Sequence, residues 1–132
     1  MTTDEKFQIG EVADTVGLSI RTIRHYDEMG VVEPSGRSVG GFRLYTAADV
    51  ERLRFVKRLK PLRFSLDEIR ELLTLLDAVA TDRASGDTID RLDWFASISE
   101  ERCAGLRDQV AMAEEIADEV RRSVPAIQRR RR

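Results

Sequence analysis

The sequence predicts a mainly α chain: four short helices and a small β-hairpin forming a winged helix-turn-helix, followed by one long helix. Three observations predict this. Apolar residues recur at helical spacing in short blocks that are punctuated by glycine or opened by capping residues. A stretch rich in Gly, with Pro34 ahead of it, separates the second and third blocks and alternates as a hairpin does. Beyond residue 88 the spacing of three and four runs on for more than thirty residues.

The first helix is written in "IGEVADTVG", where Ile9, Val12, Ala13 and Val16 share a face and Gly17 breaks the pattern. Ser19 is placed to cap the second, whose apolar positions Ile20, Ile23 and Met29 leave Arg21, Arg24, His25 and Asp27 on the other faces until Gly30. "VVEPSGRSVGGFRLYT" then reads as a hairpin with turns at Gly36 and Gly40-Gly41. Thr46 with Asp49, and Ser65 with Glu68, have the spacing of capping boxes and open helices over 47–60 and 66–76. Residues 77–87 lose the periodicity and gain Ser, Gly and Asp, so they read as a linker. The long helix is expected over 88–122, with a seam at Ile89, Leu92, Ala96, Ser99, Cys103, Leu106, Val110, Ala113, Ala117 and Val120. Such a seam wants a partner. Pro125 is expected to end the helix, and residues 123–132, closing in "RRRR", to form a disordered basic tail.

Composition narrows the function. With 132 residues, 42% hydrophobic and 35% charged, the chain suits one small domain with an appendage. No apolar run approaches the ~20 residues that span a bilayer, and the N-terminus lacks the basic-then-apolar order of a signal peptide, so no membrane association and a cytoplasmic location are expected. One cysteine and one histidine cannot complete a zinc site within a chain, and no metal or other cofactor is expected. Nor do a phosphate loop or a nucleophile motif point to an enzyme. The net charge of −2 conceals two opposed halves: residues 35–63 carry eight Lys/Arg against two acids, and residues 82–119 carry eleven acids against four arginines. A polyanion would be drawn to the first half and repelled by the second.

Two helices joined by a short turn containing Gly17 are the helix-turn-helix arrangement, whose second helix enters the major groove of DNA. Arg21 and Arg24 are then candidates for base edges or phosphates, and Tyr26 for a phosphate. A hairpin carrying Arg37, Arg43 and Tyr45 directly afterwards has access to flanking backbone.

In the order of "IGEVADTVGLSIRTIRHYDEMGVVEP", "RSVGGFRLYT", "VERLRFVKRL" and "FSLDEIRELL", the chain resembles the MerR family of winged-helix transcription regulators. The resemblance implies DNA contacts from Ser19, Arg21, Thr22, Arg24, His25 and Tyr26 on the second helix and from Arg37, Gly41, Phe42, Arg43 and Tyr45 on the wing. It adds a second wing at Lys60 and Arg63. His25 stands where the family usually has Tyr or Phe, and Arg63 where a glycine normally precedes the aromatic. The long helix resembles that family's antiparallel coiled coil, which implies a homodimer held through Leu92, Cys103, Leu106, Val110, Ala113 and Val120. Implied partners are an inverted-repeat operator in double-stranded DNA, distorted on binding, and RNA polymerase at the promoter. Cysteines that metal and electrophile sensors of the family carry are missing here, and the short stretch after the coil implies a minimal member without an effector-binding domain. The bland reading of Cys103 is a small seam residue, its sharp reading a redox switch, and the acids at Glu100 and Glu101 favour the first. Two alternatives share these features: a DNA-bending architectural or phage-type accessory protein, and a coiled-coil adaptor.

Overall fold

The computed structural model describes residues 5–131, in the order β1 (Lys6–Gln8), α1 (Ile9–Val16), α2 (Ile20–Glu28), β2 (Gly36–Arg37), β3 (Arg43–Thr46), α3 (Ala47–Leu59), α4 (Leu66–Ala80) and α5 (Gly86–Arg131). A 3₁₀ turn, Lys60–Leu62, joins α3 to α4. The described residues divide into two compact units between Leu92 and Asp93.

Helix α1 buries Val12, Ala13 and Val16, three of the four residues its periodicity singled out. Gly17 ends it in the left-handed region at φ 78°, donating its N–H to the Ala13 carbonyl at 2.8 Å. The positive φ favours glycine at this turn, and a Cβ here would also crowd Lys57 Nζ at 2.6 Å. That ammonium reaches over from α3 to donate to the Val16 carbonyl at 2.9 Å, filling one of the acceptors a helix leaves open at its C-terminus. Helix α3 thus fastens the C-terminal end of α1 at the turn.

Ser19 caps α2, its hydroxyl accepting the Thr22 N–H at 3.0 Å, and Ile23 is fully buried. Both capping boxes form: Thr46 with Asp49 on α3, and Ser65 with Glu68 on α4. Asp49 does more than cap. It is 2% exposed, and one oxygen accepts from the Ser35 N–H, the Ser35 hydroxyl at 2.6 Å and the Thr46 N–H, while Arg52 lies 3.8 Å from the other. The loop before the wing, the end of the wing and the start of α3 therefore meet on one satisfied buried carboxylate.

Four expectations need correction. The hairpin is part of a three-stranded antiparallel sheet, order β1-β3-β2, with Phe7 opposite Tyr45 and Arg37 opposite Arg43. Three residues at the N-terminus are too few for periodicity to show, and β1 exists through its pairing with β3. Helix α4 runs to Ala80, four residues beyond its expected end, because "DAVA" contains no breaker. The connection that follows is correspondingly short, and α5 starts at Gly86 behind reciprocal hydrogen bonds between Ser85 and Thr88. Finally, α5 does not stop at Pro125 but passes through it to Arg131, so the expected disordered tail is helical up to that residue. Proline deletes one N–H from the ladder and crowds the preceding turn, and the helix formers on either side carry the rest of the ladder past it.

Candidate nucleic-acid interface

The HTH unit presents α2 with Arg21, Arg24 and His25 exposed, while Ile23 on the opposite face is anchored in the core. Ser19 and Thr22 are committed to the cap: besides the backbone bond, the Ser19 hydroxyl donates to the Thr22 hydroxyl at 2.8 Å. Tyr26 is half-buried, and burial raises its phenol above the ordinary tyrosine value, so it stays a neutral hydrogen-bond donor. Thr22, Tyr26, Gly17, Lys57 and Lys60 line one cleft of about 350 Å³ between the helix-turn-helix and the 3₁₀ turn, which brings Lys60 to the same region as the second helix.

The wing turns at Gly41, φ 83°, and leaves Phe42 66% exposed at its tip. Arg37 donates through Nη1 to the Gly41 carbonyl at 3.3 Å, bracing the turn. Arg43 donates through Nε to Asp27 on α2 at 2.6 Å, and Arg37 Nη2 lies 3.7 Å from the same oxygen. Sequence reading missed this tie, since Asp27 was only one more polar residue on an amphipathic helix. Its signal would have been an acid one turn after Arg24 on a helix that exposes Arg21, Arg24 and His25.

Tyr45 is not a surface contact. It is fully buried, with no hydrogen-bond partner for its hydroxyl among the described residues. Alternation along β3 turns Arg43 and Tyr45 to the same face, and the core claims the one nearer α3. Lys60 and Arg63 are both exposed. Arg63 holds φ 57°, which explains why glycine would be the ordinary residue here.

On α5, Leu92, Cys103 and Leu106 are half-buried in the single chain and Val110, Ala113 and Val120 exposed. Val124 continues their face now that the helix passes Pro125. Among the described residues no three His, Cys, Asp or Glu side chains converge to hold a metal ion, and no helix is long and apolar enough to cross a membrane.

A family model described as MerR HTH family regulatory protein matches residues 7–76, and a second, MerR, DNA binding, matches residues 50–122. The chain belongs to the MerR family. Within it, the chain is 43% identical over 72 residues to the mercuric resistance operon regulatory protein of Bacillus cereus, a match covering 54% of each. The chain thus spans about half the length of that relative. Among solved structures, the N-terminal part of the multidrug transporter activator of Bacillus subtilis shares 30% identity with a TM-score of 0.57, over 89% of this chain and 97% of that one. HiNmlR, described as a MerR family regulator lacking the sensor domain and bound to promoter DNA, shares the fold with a TM-score of 0.65 at 23% identity, over 95% and 92% of the two chains. For this MerR-family chain, the four-helix winged unit and the long helix are accordingly the family's architecture, and its relatives are transcription regulators.

Proposed function

We propose that this chain regulates transcription from double-stranded DNA, binding an inverted-repeat operator as a homodimer through α5. The observation that carries the reading is the exposed row of Arg21, Arg24 and His25 on α2, set beside a wing whose Arg37 and Arg43 are tied to that same helix. Helix α2 enters the major groove, where Arg21 and Arg24 face base edges. Arg37, Gly41, Phe42 and Arg43, with Lys60 and Arg63 on the other side, take the flanking backbone. Ser19 and Thr22 reach DNA only through groups left over from the cap, and Tyr26 donates its phenol to a phosphate. Distorting a promoter costs a few kcal/mol, which phosphate contacts on both wings offset. RNA polymerase at that promoter is the further partner, and the cytoplasm of the cell, where the DNA lies, is the place of action.

Footprinting on the DNA upstream of the chain's own gene tests this. Two protected half-sites related by a two-fold are expected, and Arg21→Ala should cost ~1–3 kcal/mol of discrimination at one base position per half-site while leaving binding to unrelated duplex nearly unchanged. Absence of any protected site at saturating protein, or a loss in Arg21→Ala that is uniform over sequence, would sink it. A footprint outside any promoter spacer would instead favour the architectural reading.

A further inference from the structure

An acid on a DNA-facing helix is costly by itself, because it repels the phosphates that the neighbouring cations attract. Asp27 is such an acid, three residues after Arg24, and its surroundings show why it stands there. The side chain is 14% exposed. One of its oxygens takes the Arg43 Nε–H at 2.6 Å and lies 3.7 Å from Arg37 Nη2. Arg37 and Arg43 are directly opposite each other in the β2–β3 ladder, so their side chains leave the same face of the wing as a pair. A single carboxylate on α2 therefore holds both strands of the wing at once.

The atom used matters as much as the contact. Arg43 spends Nε on Asp27, and neither of its Nη groups has a hydrogen-bond partner among the described residues. A guanidinium gripped on one edge presents the remaining donors in a fixed direction, whereas an untethered one samples many rotamers and loses that freedom on binding. Counting charge, the cluster of Asp27, Arg37 and Arg43 keeps a net excess of one cation, enough to favour phosphate. Its partly buried position makes the tie stronger than an exposed ion pair.

From this geometry we infer that Asp27 is a positioning residue for DNA: it sets the wing against the recognition helix and aims the Arg43 Nη groups at a backbone phosphate. The inference rests on the DNA-binding reading above, and it makes a prediction opposite in sign to simple electrostatics. Removing a negative charge from a DNA-binding face should tighten binding. If Asp27 aims Arg43, Asp27→Asn should weaken it.

The test measures affinity of the full chain for a fluorescein-labelled duplex carrying the footprinted site, over a range of salt. Asp27→Asn is expected to bind on the order of tenfold more weakly and to lose about one unit from the slope of log K against log salt, as one phosphate contact is no longer made. Asp27→Glu should recover part of the affinity. In an Arg43→Ala background Asp27→Asn should cost much less, because only the longer contact with Arg37 is left for it to lose. Arg43→Lys, which keeps the charge and needs no change on α2, should lose a similar amount, since an ammonium cannot serve Asp27 and a phosphate from two fixed edges. Tighter or unchanged binding of Asp27→Asn, or an equal loss in the Arg43→Ala background, overturns the positioning role while leaving DNA binding intact. Failure of the unmodified chain to bind any duplex overturns both.

Discussion

At the scale of single residues, two side chains carry their meaning in geometry that is invisible along the chain. Tyr45, two residues after Arg43, shares its face of β3, and position alone would give both to DNA. Its hydroxyl is instead buried with no hydrogen-bond partner among the described residues, a desolvated polar group. Tyr45→Phe is therefore expected to leave DNA affinity unchanged and to shift unfolding free energy by no more than about 1 kcal/mol, toward greater stability. Urea denaturation and a binding isotherm check the two halves. Arg63 is the converse case, an exposed cation kept in the left-handed region at φ 57°. Arg63→Gly relieves ~1 kcal/mol of backbone strain, partly offset by the freer unfolded chain, so stability should rise by up to ~1 kcal/mol. If Arg63 meets a phosphate, the same variant lowers the salt slope of binding by about one. A variant less stable than the parent would show that the left-handed turn carries no strain.

Between elements, the start of the long helix is tied to α4 by a two-pronged pair. Arg91 on the first turns of α5 donates through Nε and Nη2 to the two oxygens of Glu71 on α4, at 2.7 and 2.9 Å. Hydrogen bonding to this guanidinium, the largest influence, holds the Glu71 carboxyl below its ordinary value, with slight burial opposing. A lowered native value means the pair's contribution is complete above the unfolded glutamate value of about 4.3 and fades as pH falls through the native one. The stability difference between the parent and Glu71→Gln should accordingly be present at neutral pH and vanish in acid. Thermal unfolding followed from neutral pH down through the carboxylate range measures it, and a difference that persists in acid would place the stabilisation elsewhere. At the same scale, Gly17 allows the turn after α1, and Lys57 from α3 fills the last carbonyl of α1.

For the molecule as a whole, the decisive feature is a helix of 46 residues, ~69 Å long, most of whose second half is exposed. Val110 and Val120 are more than half exposed in the single chain, and Val124 joins them on one face. An aliphatic stripe along one face of a long helix gains from being covered by a second helix. If the proposed homodimer forms through this face, Leu106→Glu should put a charge into it and leave a monomer at micromolar concentration, with loss of two-fold-related footprints but an intact far-UV helical signal. Sedimentation that still shows a dimer would mean that the face runs elsewhere, through Met112 and Ile116, which are exposed outside the expected seam.

What the sequence determined by itself was where helices start and which faces they bury, though not where α4 ends or that α5 passes Pro125. Gly17, the caps at Ser19, Thr46 and Ser65, and the apolar faces of α1 to α4 all act over three or four residues, and that is the distance over which helices announce themselves. The dense motif order through residue 76 also carried the family. Tertiary structure alone decided the rest, for one recurring reason: the partners are distant in sequence. Strand β1 exists because β3 lies beside it, Tyr45 is inside because the core reaches that face of the sheet, and Asp27 is paired because the wing folds back 16 residues later to bring Arg43 against it. Such meetings depend on where the chain returns to itself, which no periodicity of its own residues records.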